Sequence, residues 1–184
     1  MLDRFTRLCF KLTNRLIVGF GLLLFTVFMI WVLPAEAVRS SKILKGEPTP
    51  DTSFFYTASD LYAMAEAYGV EGRAYYIHAR YTFDLAWPLA YVMFLVPTTA
   101  WLLKPWEQDR KKRLLVLVPL AGFLFDLLEN AGAVLVMSRY PARTWVIDWL
   151  VPWMTMFKWS ALAAAFVIML ISAWFRLKTM PDTR

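Results

Sequence analysis

The chain has 184 residues, 59% of them hydrophobic and 18% charged, which excludes an ordinary soluble domain and fits a small integral membrane protein. The net charge of +6 comes without an exposed basic domain, so nucleic acid is excluded as a partner. One cysteine, Cys9, and one histidine, His78, argue against a C-x-x-C redox pair, a catalytic zinc site and a bis-His haem. No metal and no cofactor is therefore expected.

Four segments read as spans of a roughly 30 Å hydrocarbon core, at about 16–33, 85–103, 114–137 and 149–175. The first is an uncharged apolar run that follows Arg4, Arg7, Lys11 and Arg15. With Ala35-Glu36-Ala37 behind it, it also resembles a cleaved leader, but the run exceeds the usual apolar region of about 7–15 residues. A retained anchor is the expectation. The loop 34–80 follows. Its first part, from Arg39 to Asp51, is polar, contains Pro48 and Pro50, and reads as irregular. Thr57 or Ser59 then caps a short amphipathic helix over Asp60–Tyr68, with Leu61, Met64 and Tyr68 on one side and Gly69 as its stop. That helix either packs on the bundle or lies on the membrane surface. From Arg73 to Tyr81 the chain is expected to run helically into the second span. The tyrosines of this stretch, with Trp87, Trp145, Trp149 and Trp153, read as an outer aromatic belt, and Trp101 and Trp106 as an inner one.

Basic residues set the orientation. The N-terminal cluster, Lys104 with Arg110–Arg113, and Arg176, Lys178 and Arg184 fall on one side of a four-span bundle. By the positive-inside rule that side is the cytoplasm, with both termini in it. The expected fold is thus one all-α membrane domain over residues 1–184. It is a four-span antiparallel transmembrane helix bundle capped by an extracytoplasmic loop.

The third span carries Asp126, Glu129 and Asn130, which at about 100° per residue share one helical face with Pro119, Gly122 and Ala133. A carboxylate at mid-membrane costs at least about 2.5–3.5 kcal/mol, so this face meets protein or a wet cavity rather than lipid. Counting depth along antiparallel helices puts Glu129 about 12 Å and Lys158 about 14 Å below the outer surface, which predicts an ion pair between them. Asp84 opens the second span with Arg80 at i−4, a second predicted pair. Pro88 lacks an N–H and crowds the carbonyl of Asp84, so that carbonyl is expected to be free. Pro97 and Pro119 act in the same way on Met93 and Leu115, while Pro152 falls in the first turn of span four.

Two readings of this cluster stay open. In one it is satisfied structural pairing, with Asn130 as interhelical glue. In the other it lines a pocket open to the extracytoplasmic side, where Asp84, Asp126, Glu129, Asn130 and Lys158 contact the polar head of a lipid-like amphiphile beside Trp87 and Tyr91. The alternatives are an accessory subunit of a larger membrane complex and a carboxylate-dependent intramembrane enzyme acting on lipid or lipoprotein. Membrane lipid is the expected partner, with another membrane protein or a second copy of the chain next in line.

The series Gly72-Arg73…Tyr76, Asp84…Pro88…Tyr91, Asp126-x-x-Glu129-Asn130 and Tyr140-Pro141 resembles an uncharacterised family of small four-span bacterial membrane proteins. The resemblance covers roughly residues 55–160. It implies a bacterial inner membrane location and a shared set of positions, but carries no activity. Glu129–Ala133 with Val146-Ile147-Asp148 is also faintly similar to the lipoprotein signal peptidases, which are four-span aspartyl proteases. Their Asn-x-x-Asp-Arg element is missing here, which leaves Glu129 or Asp126 to serve its position.

Overall fold

The computed structural model describes residues 1–179. Arg184, one of the basic residues used for orientation, lies outside them. Among the described residues, four helical stretches are long and apolar enough to cross a membrane: Arg15–Ile43, Gly69–Leu102, Arg110–Arg139 and Ile147–Lys178. No strand occurs among the described residues, and the chain is a multi-pass, all-α membrane bundle.

A short helix, α1 (Leu2–Leu12), precedes the first span and was not expected from the sequence. Leu2, Phe5, Leu8 and Leu12 form its exposed apolar stripe, while Phe10 and Thr6 are buried against the bundle. Such a helix, with Arg4, Arg7 and Lys11 also on its surface, suits the plane of a membrane interface. Asp3 ties it down, receiving Arg7 at 2.5 Å and Arg113 at 2.7 Å. These two guanidinium groups, Arg7 first, hold the Asp3 carboxyl down at about 2.

The first span is α2 (Arg15–Val27), a π-helical turn over Phe28–Val32, and α3 (Leu33–Ile43). Asn14 caps α2 by accepting from the amides of Leu16 and Ile17. The wide turn falls just ahead of Pro34, whose ring would otherwise crowd a carbonyl of the preceding turn. The helix therefore continues through Ile43, and residues 39–43 are not the irregular segment that their polarity predicts. A polar exposed face does not end a helix when the backbone ladder is intact; the chain turns only at Lys45 and Gly46, both at positive φ.

After a strap (residues 44–57) come α4 (Ala58–Ala67) and α5 (Gly69–Tyr81), followed by α6 (Phe83–Leu102). Thr57 and Asp60 form a reciprocal capping box at the start of α4. Gly69, at φ +61°, lets the chain leave α4 and enter α5 without an intervening loop. Leu61, Tyr62, Met64 and Ala65 are buried, so α4 packs onto the bundle. Tyr76 and Trp87 depart from the expected aromatic belt. Tyr76 is buried under Arg80, and Trp87 stacks inside on Phe25 and Phe28, because α2 and its π-helical turn cover this part of α6. Trp145 and Trp149, by contrast, are exposed.

Two antiparallel helices, α8 (Leu117–Arg139) and α9 (Ile147–Thr179), make the most extensive packing in the molecule, and α6 lies against both. A five-residue helix, α7 (Arg110–Leu114), leads into α8. Pro119 falls in the first turn of α8, and Leu115 takes the amide of Val118 instead. Pro152 lies beyond the first turn of α9, since that helix begins at Ile147. Arg176 donates to the Trp101 carbonyl and Lys104 to the Phe10 carbonyl, so the two ends of the described chain meet the α6–α7 turn at one end of the bundle.

The N-terminal span is the peripheral one, with only 6% of its most apolar window buried. It is held on α6 by a close backbone approach, since a Cβ at Gly21 would fall 2.2 Å from the Met93 carbonyl oxygen. Gly21→Leu is expected to lift this span away at a cost of about 1–3 kcal/mol, as overpacking does elsewhere. A lower thermal midpoint and loss of a Phe25→Cys/Phe94→Cys crosslink would report it; an undiminished crosslink would rule out this packing.

Candidate functional site

The intramembrane charges are organised by a residue outside the spans. Asp51 sits in a single helical turn, Pro50–Thr52, whose proline start and capping Thr49 bend the strap down onto the bundle. Its carboxylate accepts from Lys158 Nζ at 2.9 Å through one oxygen and from Arg80 through the other. Burial alone raises a carboxyl, but here Arg80 and Lys158 outweigh it and hold Asp51 well below the usual carboxylate range.

Each cation is shared among several acceptors. Lys158 Nζ lies 2.5 Å from Glu129 Oε2 and 3.8 Å from Asp126 Oδ1, besides Asp51. Arg80 donates to Asn130 Oδ1 at 2.9 Å, stands 3.4 Å from Asp84 Oδ2, and lays its guanidinium 4.2 Å over the Tyr76 ring. Both cations are almost fully enclosed, with 4% of each side chain exposed. Glu129 is fully buried, and among the described residues its ion pair is with Lys158.

Asn130 joins the two halves of the network. Because its oxygen faces Arg80, its amide nitrogen faces Asp126 Oδ1 at 3.3 Å and the Asp84 carbonyl at 3.0 Å. That carbonyl is the one deprived of its helical donor by Pro88. Tyr91 donates to Asp126 Oδ2 at 3.0 Å. Asn130→Leu is expected to cost about 1–2 kcal/mol by stranding this carbonyl and Arg80. Pro88→Ala in that background restores a backbone donor and is expected to return part of the loss. A double-mutant cycle of unfolding midpoints checks it, and strict additivity would mean that Asn130 does not serve the Asp84 carbonyl.

Beside the network lies a cavity of about 450 Å³. Its wall includes Asp51, Arg80, Asp84, Trp87, Asp126 and Lys158. Helical rise orders part of it: Glu36, Ser40 and Glu47 stand toward the strap end, whereas Trp87 lies about a turn deeper than Asp84 and Leu162 about a turn deeper than Lys158. Of the residues expected at a pocket, Asp84, Trp87, Asp126 and Lys158 line this one. Tyr91, Glu129 and Asn130 do not; they sit behind the wall, at most 4% exposed, because their side chains fill the α6–α8–α9 contact. Asp51 and Tyr76 complete the site and were missed in the sequence. The only signal for Asp51 was a carboxylate held next to Pro50 in a strap that must cross a bundle with buried cations.

Other positions singled out in the sequence also meet. Arg73 donates to the Ala65 carbonyl and lies 4.7 Å over the Tyr140 ring, next to the cis Tyr140-Pro141 bond. Asp148 is buried at the start of α9, ten residues and about 15 Å of rise from Lys158, so it is not brought to Glu129 or Asp126 as a protease dyad requires. Among the described residues no group of three or more His, Cys, Asp or Glu side chains is arranged to hold a metal ion. No family profile, curated protein or solved structure matches the chain.

Proposed function

We propose that this is a binding protein of the bacterial inner membrane, with both termini cytoplasmic and its cavity open to the extracytoplasmic side. The cavity receives the polar end of a lipid-like amphiphile. One observation carries the reading: a space of about 450 Å³ is walled by charged side chains from five helices and the strap, with Trp87 and Leu162 about a turn deeper than Asp84 and Lys158. Its size falls within the usual range for small-molecule sites, and its gradient from polar mouth to apolar floor matches an amphiphile. The resemblance to small four-span bacterial membrane proteins supports it to this extent, that several positions quoted for it contact one another around the cavity.

Binding is favoured over catalysis because the carboxyls are engaged in ion pairs and Cys9 and His78 do not line the cavity. Native mass spectrometry of the protein released gently from membranes tests the proposal. A lipid-sized adduct is expected on the wild type and is lost when Leu162→Trp fills the floor. A stoichiometric protein partner with no adduct would favour the accessory-subunit reading. An altered lipid or lipoprotein profile in cells carrying Asp84→Asn or Asp126→Asn would favour the enzyme.

A further inference from the structure

Resting on the reading of the cavity as an amphiphile site, we infer that the head group it takes is a protonated amine. Three independent features of the wall point that way. First, the cations are spent. Lys158 is surrounded by Asp51, Glu129 and Asp126, and Arg80 by Asp51, Asp84 and Asn130. A phosphate would have to displace a carboxylate from each of them, and the displaced group would lose its cation in a largely enclosed site.

Second, the acids are in excess. Four carboxyls, those of Asp51, Asp84, Asp126 and Glu129, face these two cations, and Glu36 and Glu47 stand at the mouth. Glu36 takes the Tyr75 hydroxyl at 2.5 Å, and Arg39 lies outside the wall, 5.6 Å over the Tyr75 ring. Asp84 is the acceptor left open. Its carboxylate keeps 15% of its side chain exposed and takes no hydrogen bond among the described residues; Arg80 at 3.4 Å is its only salt-bridge partner there. An ammonium beside Asp84 reduces the excess without breaking any existing pair.

Third, the wall is aromatic. Trp87 and Phe83 line it, and no protein cation among the described residues lies over either ring, a surface that favours a cation.

Octylammonium, octyl phosphate and octanol share one tail and differ in head group, so they separate the possibilities. Binding below their micelle thresholds is read by quenching of tryptophan fluorescence in the full-length protein, since Trp87 and Trp159 line the cavity. Octylammonium is expected to bind at least tenfold tighter than octyl phosphate or octanol, against the direction that a net charge of +6 would impose on non-specific binding. Asp84→Asn is expected to erase at least fivefold of that preference. Should Asp84→Asn fail to fold, Trp87→Leu removes the larger ring from the wall while Trp159 still reports binding. It is expected to weaken octylammonium about threefold more than it weakens octanol. Equal or tighter binding of octyl phosphate or octanol overturns the amine while leaving the cavity reading intact. Saturable binding of none of the three, together with the absence of a lipid adduct in native mass spectrometry, overturns both. An unchanged preference in Asp84→Asn, or in Trp87→Leu where Asp84→Asn does not fold, places any binding elsewhere and overturns the inference.

Discussion

Lys158→Met is expected to be the most damaging single substitution in the cluster, costing about 3–5 kcal/mol of stability, the range seen when one partner of a buried ion pair is removed. The reason lies in its neighbours. Its ammonium stands within 4 Å of Asp51, Glu129 and Asp126, so its loss takes a cation from three carboxyls at once and leaves the fully buried Glu129 with none among the described residues. Glu129→Gln should cost less, about 1–3 kcal/mol, since Lys158 keeps Asp51 and Asp126. The double substitution Glu129→Gln/Lys158→Met follows from the same geometry. If the two residues were an isolated pair, removing both would restore nearly everything; with two further carboxyls left behind, it should restore only part, and adding Asp51→Asn should restore more. Unfolding in mixed micelles, followed by circular dichroism across a graded denaturant series, measures all four. A Lys158→Met protein within about 1 kcal/mol of the wild type would mean that the ammonium does not sit among these acids and reaches outward instead.

Arg80→Lys is expected to cost about 2–4 kcal/mol although the charge is kept, because a lysine lacks the planar fork that bridges buried partners. One end of the Arg80 guanidinium serves Asn130, another Asp51, and its face covers Tyr76. A single ammonium cannot reach all of them in fixed geometry. The readout is local as well as global: amides of the strap, residues 47–57, should exchange with solvent at least tenfold faster (about 1.4 kcal/mol of opening free energy) in Arg80→Lys. Asp51→Asn should open the strap similarly with a smaller global loss, since each cation retains other acceptors.

The pH dependence of this latch has a definite sign. Asp51 titrates lower in the folded protein than its unfolded value near 3.9. Its contribution is therefore fully present above that unfolded value and is lost only as the pH falls through the lower, folded one. Strap protection, corrected for intrinsic exchange, should be the same at pH 7 and pH 5. A collapse of protection between these two values would show that Asp51 is not what holds the strap.

Several local features were readable because they depend on a few neighbouring residues. Thr57 with Asp60 specifies the start of α4, Gly69 its end, and Pro88 the orphaned Asp84 carbonyl. The spacing of Asp126, Glu129 and Asn130 put three polar groups on one face of α8, and their cost in lipid required that face to be covered. The helix α1 had a signal too, in the recurrence of Leu2, Phe5, Leu8 and Leu12, but it lay among charges that read more simply as an orientation cluster. Polarity misled at residues 39–43, where a helix continues past the apolar stretch because its exposed face can be polar at no cost.

Apolar run length and the cost of bare charge in lipid are properties of single segments, so an all-α, multi-pass bundle with a covered polar face on its third span was legible from the residues alone. The tertiary structure alone decided what covers that face. Asp51 is far from Arg80 and Lys158 in sequence, and no periodicity links a residue of a proline-bent strap to the helices it crosses. Which acid meets which cation also depends on helix rotation and on the close α8–α9 packing, which turns Glu129 and Asn130 behind the wall and leaves Asp84 and Asp126 facing the cavity. Charge partners in a membrane interior are chosen by the three-dimensional cost of leaving any one of them unpaired, and a sum over all neighbours is not written in the spacing of any one helix.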